Sequence, residues 1–225
     1  MNAFNVVYAA LPKLLLGMRL TIQITFIGLI FAILIGLVAC LMNISKSRIL
    51  NVIASAYIYI IRGTPLLVQL FFLYFGIAKA LPFSSDAISV GTVAISLNAG
   101  AYIAEIFRGS IQSINKGQME AARSLGLPYS KAMIKVILPQ AFRMSIPALT
   151  NQVIISLKDV SLISTIGVAE IFQVGKIIVA RNMESTLIWS TVGVIYLVVV
   201  AVITKLARIL ERRMFRDQGK GKKSS

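Results

Sequence analysis

Residues 21–42 read TIQITFIGLIFAILIGLVACLM, a run with no charged side chain. A helix rises about 1.5 Å per residue, so this stretch covers a hydrocarbon layer about 30 Å thick. It reads as a membrane span. Four more follow, at about 52–78, 86–107, 144–168 and 185–209, the fourth interrupted by Lys158 and Asp159. Helices are the economical way for so few segments to cross, because each satisfies its own backbone hydrogen bonds. The predicted fold is all-α and integral to the membrane: one five-span domain over 1–213, then a basic tail at 214–225.

Composition agrees with that reading. Of 225 residues, 57% are hydrophobic and 14% charged, with a formal net charge of +15; mean hydropathy is +0.84. Soluble domains carry about 25% charged residues, so most of this chain is not dissolved in water. A disordered basic segment would lack the Ile, Leu, Val and Phe. A nucleic-acid reader would spread its cations over a soluble surface, whereas here they stand between apolar runs. There is no histidine, and the single Cys40 lies inside an apolar run. That removes the commonest general base, a disulfide framework and a cysteine or histidine metal site. The eight acids form no metal-binding pattern, and no nucleophile–base pair stands out. Residues 1–12 hold no Lys or Arg, and the apolar stretch after Arg19 is too long for a signal peptide. The start reads as a short amphipathic lead-in to a retained span.

Basic residues orient the spans. Lys46 and Arg48 follow span one, and Arg108, Lys116, Arg123, Lys131, Lys135 and Arg143 lie between spans three and four against Glu120 alone. The C-terminal segment is basic from Lys205 to Lys223, while the connections near Lys79 and near Lys176 are close to balanced. These place the N-terminus outside and the C-terminus in the cytoplasm; Lys13 and Arg19 argue weakly the other way. The tail GKGKKS at 219–224 lacks the spacing of a phosphate loop and follows no strand. It reads as a basic segment held near anionic lipid. No nucleotide site is legible, so if the protein does ATP-driven work, a partner supplies the energy.

The long connection between spans three and four is neither a tight loop nor a span. Asn115 is placed to cap a helix over 117–125, with Glu120 near its positive end and Gly126 after its last turn. Leu127-Pro128 permits a turn, Ser130 a second short helix, and Pro139 marks the entry to span four. Two short helices joined at a glycine make a knob whose Met119, Ala122 and Leu125 could face a partner's groove. The alternative is a helix lying on the lipid surface.

Inside the spans, Arg62 to Pro65, Asn98, and Lys158 with Asp159 all fall near mid-depth. A central charge costs about 2.5–3.5 kcal/mol on insertion scales, so it faces a cavity or a partner. Pro65 frees backbone carbonyls one turn earlier, and the Arg62 guanidinium suits an α-carboxylate. Asn98, Tyr102 and Glu105 share one helix face; Gly91, Ala94, Gly100, Ala101 and Ala104 allow close helix approach opposite them. Two readings stand for these groups. Asn98 and Tyr102 either pack across helices or touch a ligand. Arg62 and Lys158 either meet a solute or pair with Asp159 or Glu105.

Glu120-Ala121-Ala122, Gly126 and Val136-Ile137-Leu138-Pro139 resemble the EAA loop of ATP-binding-cassette importer permeases, with Val136 where Ile is usual. Three segments resemble the polar amino-acid branch of that family: RGTPLLVQ at 62–69, NAGAYIAE at 98–105 and LKDVSLIS at 157–164. The resemblance runs from about residue 10 to 213. It implies the type I importer fold and a pair of permease subunits, identical or related. An extracellular binding protein would deliver the cargo. Two ATPase subunits would hold ATP and Mg, so no cofactor is expected in this chain and it is expected not to be an enzyme. The setting implied is a bacterial inner membrane.

By the same resemblance, Met119, Glu120, Ala121, Ala122, Leu125, Gly126, Leu138 and Pro139 would couple to the ATPase, with Glu120 fixing the helix start. Arg62, Thr64, Gln69, Asn98, Tyr102, Glu105, Lys158, Asp159 and Ser161 would line the substrate pathway. Glutamine, glutamate, aspartate, cystine, arginine and histidine all remain open as cargo. The competing reading is an autonomous channel or ion-coupled carrier, which inverted repeats would support; the two halves show no such similarity.

Overall fold

The computed structural model describes residues 3–78 and 86–215. The basic tail expected beyond 215 and the nearly balanced connection expected near Lys79 fall outside the described residues, apart from their first or last positions. Among the described residues, regular structure is entirely helical. Among those residues, three helices are long and apolar enough to cross a membrane: Asn5–Asn43, Ala87–Gln112 and Ser185–Ile209. Two bent pairs pass the same test, so the count reaches five if each is one span.

The first helix, α1, covers Ala3–Asn43 without interruption. The expected separate lead-in is therefore absent: Pro12 stands inside α1, and the helix carries straight through it. The second span is not continuous either. It consists of α2 (Arg48–Gly63), α3 (Leu66–Phe71) and a π-helical end over Phe72–Ile77, with a bend of 107° at the break. Pro65 explains the break. It forces Thr64 into extended backbone, φ −123° and ψ 146°. The third span, α4, covers Ala87–Gln112 and is capped by the Asp86 side chain.

Span four begins earlier and ends later than the hydropathy indicates. After α5 (Lys116–Ser124) and the single turn α6 (Tyr129–Ala132), a π-helical stretch at Met133–Ile137 leads into α7 (Leu138–Asp159). A 3₁₀ segment, Val160–Ile166, and the left-handed Gly167 (φ +91°) then give way to α8, Ile171–Asn182. The two halves bend by 52°. The last helix, α9, covers Ser185–Phe215.

Helix α1 packs most extensively on α4. The seam is made of small residues: Ala94, Ala101 and Ala104 are fully buried. A Cβ added at Gly36 would sit 2.7 Å from Ile103 Cγ2 and 2.9 Å from the Gly100 carbonyl. Apolar groups gain little by leaving lipid, so close backbone contact and dispersion hold such helices together. Leu29, Ala39, Ile58, Ala99 and Phe107 join α1, α2 and α4 in one cluster. Ile24, Leu70, Ile95, Val160 and Ile163 join α1, α3 and α4 to the 3₁₀ segment. The outward faces carry Leu16, Phe26 and Phe31 on α1 and Leu197, Val202 and Leu206 on α9, all exposed, as a lipid-facing surface requires.

Gly36→Leu should therefore destabilise the bundle by roughly 1–3 kcal/mol through overpacking. Gly193→Ala, where nothing lies within 4 Å of an added Cβ, should be near neutral. Thermal unfolding in detergent separates the two.

Candidate translocation and coupling sites

The break in span two creates the first polar centre. Pro65 cannot donate the amide that would bond the Ile61 carbonyl. Gln69 takes its place, its Nε2 lying 2.7 Å from the Ile61 oxygen, 3.0 Å from the Thr64 carbonyl and 2.8 Å from Thr64 Oγ1. Thr64 Oγ1 donates to the Ile60 carbonyl at 2.8 Å. The amide oxygen of Gln69 is left to accept from Asn98 Nδ2 on α4 at 3.0 Å. Thr64, Gln69 and Asn98 thus stitch the broken span to its neighbour.

One and two turns along α4 lies the second centre. Arg108 grips the Glu105 carboxylate with two bonds, Nε to Oε1 and Nη2 to Oε2, each 2.7 Å. Arg62 Nη1 reaches Glu105 Oε2 at 3.2 Å, and its guanidinium stands 5.3 Å from the Tyr102 ring centroid. Two guanidiniums against one carboxylate leave one positive charge over. An open cavity of about 580 Å³ adjoins it, lined among others by Asn43, Ser55, Tyr59, Arg62, Glu105 and Arg108. Of the two readings for Arg62, the ion pair with Glu105 is realised. Arg62 is nevertheless open to the cavity, with its side chain 41% exposed.

Lys158, Asp159 and Ser161 occupy the end of α7 and the start of the 3₁₀ segment. Lys158 is exposed and Asp159 half-buried; Ser161 Oγ donates to the Lys158 carbonyl at 2.7 Å. Neither charged group forms a salt bridge among the described residues, so the alternative in which Lys158 pairs with Asp159 or Glu105 is not realised. The 3₁₀ segment does pack on α3 and α4 through Val160 and Ile163, which links this group mechanically to the other two.

Sequence reading missed a residue at the second break. Glu170, which by sequence is simply one of eight acids, is fully buried. Its Oε1 accepts from the Gln173 amide at 2.9 Å, capping α8, and its Oε2 faces Thr21 Oγ1 of α1 at 3.4 Å. Gly17 makes the approach possible: a Cβ there would stand 2.8 Å from Ile171 Cα. The signal was present in Gly167-Val168-Ala169-Glu170 just before an apolar run, a glycine turn followed by an acidic cap.

The coupling segment folds much as its sequence suggests, with three corrections. Asn115 caps α5, its Oδ1 accepting from the Gly117 amide at 2.8 Å. Gly126, at φ +84°, closes the helix: its amide donates to the Arg123 carbonyl at 2.9 Å and that of Leu127 to the Ala122 carbonyl at 3.2 Å. Glu120, however, is exposed and makes no hydrogen bond or ion pair among the described residues, so Asn115 and not Glu120 fixes the start. Ala122 is buried within the chain, 5% exposed, and turns inward rather than toward a partner. The second short helix begins at Tyr129 after Pro128, not at Ser130. Leu125 is 84% exposed and Met119 partly so. Gln140 Nε2 donates to the Val136 carbonyl at 2.8 Å and lies 3.5 Å from Gln118 Oε1, tying the segment to α7 just beyond Pro139.

Residues 28–216 match the family described as binding-protein-dependent transport system inner membrane component. The chain belongs to this family. It is an inner-membrane, multi-pass permease subunit of an ABC importer. It is 42% identical over 212 residues to the glutamine transport system permease protein GlnP of Escherichia coli (strain K12), covering 94% of this chain and 97% of the relative. It is 41% identical over 206 residues to the L-cystine transport system permease protein TcyB of Bacillus subtilis (strain 168), covering 91% and 88%. A crystal structure of an amino acid ABC transporter with histidines superposes with a TM-score of 0.89 at 36% identity, over 95% of this chain and 99% of that one. A methionine ABC transporter at 23% identity shares the fold, with a TM-score of 0.78. The autonomous channel or carrier is not favoured by this membership.

Glu170→Leu should lower the thermal midpoint markedly, because it orphans the Gln173 amide and costs about 1–3 kcal/mol. Glu170→Gln, which keeps an acceptor, should cost less. Equal losses would assign Glu170 to packing alone.

Proposed function

We propose that this permease moves a polar amino acid inward, along a route bordered by Arg62, Thr64, Gln69, Asn98 and Tyr102, with Lys158, Asp159 and Ser161 on the 3₁₀ side. The N-terminus lies outside and the C-terminus in the cytoplasm, as the basic loops indicate. An extracellular binding protein delivers the cargo, a second permease subunit completes the passage, and two ATPase subunits bind ATP and Mg. The observation that carries this reading is the polar lining of the break in span two. Backbone irregularity at membrane depth persists only where it is buried or lines a cavity. Here an incompletely neutralised guanidinium opens onto such a cavity. Relatives named for glutamine, cystine and arginine support an amino-acid cargo whose carboxylate Arg62 or Lys158 attracts, with the side-chain class left open.

Glu105 is engaged on both oxygens, so its role is to hold Arg62 and Arg108 in place. It stands about 10 Å beyond Asn98 along α4, on the exit side. Coupling passes through the exposed Glu120, Ala121 and Leu125 and the half-buried Met119, which meet the ATPase. Gly126, Leu138 and Pro139 fix the direction of the segment, and the buried Ala122 anchors it to the body of the subunit. ATPase closure then pulls on α7, whose far end carries Lys158 and Asp159.

Reconstitution tests this directly. Proteoliposomes should take up amino acid only when binding protein, ATPase and ATP are all present; uptake by this chain alone would sink the reading. Gly126→Val places a branched side chain at φ +84°. Normal insertion with transport lost, on the order of tenfold or more, is expected. Unchanged transport would remove the segment from the mechanism.

A further inference from the structure

Helix α9 ends in a basic cleft that the transport reading does not use. Ala201, Thr204, Lys205, Arg208, Ile209 and Arg212, all on α9, border a shallow hollow on the helix surface. Lys205, Arg208 and Arg212 follow one another at i, i+3 and i+7, so they share a face. Glu211 stands beside them, yet no salt bridge joins any of the three to an acid among the described residues. Thr204 Oγ1 already donates to the Val200 carbonyl at 2.8 Å, so the cations are the free donors. Such a cleft suits a multiply accepting anion.

Depth and shape narrow the anion. Lys205 lies twenty residues past Ser185, about 30 Å along the axis, the thickness of a hydrocarbon core. The cations therefore sit at the polar boundary of the membrane. The same face of α9 runs on through Ala201, Val198 and Val194 into a mostly apolar cleft of about 530 Å³, walled on α1 by Leu15, Met18 and Ile22 with Arg19 and Gln23 at its border. Val198 is ten residues from Arg208, about 15 Å, or one leaflet of hydrocarbon. A free phosphate has nothing to put in that cleft. A lipid tail fills it.

We propose that α9 carries a site for one anionic phospholipid, its phosphate held by Lys205, Arg208 and Arg212 and one acyl chain laid along α9 toward Val198. Arg and Lys are both suited to phosphate, and Arg can grip it with parallel bonds.

Native mass spectrometry of the assembled importer, titrated with phosphatidylglycerol, phosphatidylcholine or inorganic phosphate, tests this. One phosphatidylglycerol per permease subunit should be retained, with phosphatidylcholine weaker and millimolar phosphate unable to displace it. The variant combining Lys205→Gln, Arg208→Gln and Arg212→Gln should bind phosphatidylglycerol about a hundredfold more weakly, at about 1 kcal/mol for each cation. Val198→Trp fills the apolar cleft with every charge kept, and should weaken the same lipid. If the triple variant fails to assemble, Arg208→Gln and Val198→Trp read the same affinity. Equal retention of both lipids, no loss in the variants, or displacement by phosphate would overturn the site. So would loss of ATPase subunits from the triple variant with lipid retention unchanged, since the surface would then be a protein interface.

Discussion

A backbone amide or carbonyl inside hydrocarbon has no water to fall back on, and every other feature of this subunit depends on that constraint. Two spans are nonetheless broken. At the first, Pro65 removes a donor and the Gln69 side chain restores the Ile61 acceptor's partner while reaching Asn98 on α4. At the second, Gly167 turns the chain and Glu170 caps the new helix while meeting Thr21 on α1. Each break is closed by a side chain that also touches another helix. Local repair and tertiary contact are thus the same interaction.

The arrangement separates rigid from movable parts. Between α1 and α4 the seam is close-packed alanine and glycine, which allows little sliding without clashes such as that at Gly36. The first break is held by a few hydrogen bonds, each worth about 1 kcal/mol net, whereas the second is also packed by the buried Ile166, Val168 and Ile171. The bend at residues 64–65 is therefore the place where the subunit can change shape at least cost. The coupling segment continues directly into α7, so displacement of α5 bears on the second break through a single helix. Charge supports the same division. Arg108 anchors Glu105 with two bonds, and Arg62 reaches it with one longer contact. That leaves Arg62 the more easily redirected of the two cations.

Hydropathy made the spans legible, because twenty apolar residues have few other uses. It could not show that spans two and four are broken, since Thr64 and Gly167 interrupt the apolar run too briefly to lower it. Pro65 pointed to the first break; nothing in the window average pointed to the second. Asn115 and Gly126 were readable because caps are local, each set by bonds to residues within a turn. Ala122 is buried in a way its own turn does not reveal, because α5 packs on the π-helical stretch, which lies beyond a turn in the sequence. Glu105 was placed correctly on its helix, but its tight partner Arg108 had been counted only among the orienting loop cations. Spacing at i, i+3 on one helix was the available signal.

The central claim is that the polar groups at the break in span two, with Lys158, Asp159 and Ser161 across from them, border the route of the cargo. Cys40 is the single cysteine, so a Cys40→Ser background allows cysteines to be placed one at a time and challenged with a membrane-impermeant thiol reagent in the assembled importer. Thr64→Cys, Tyr102→Cys and Lys158→Cys should be labelled, and labelling should fall when amino acid and binding protein are supplied with trapped ATPase. Leu197→Cys and Val202→Cys, on the lipid face, should stay unlabelled throughout. Labelling of the lipid-face positions with the three route positions silent, or labelling that cargo never alters, would contradict the account.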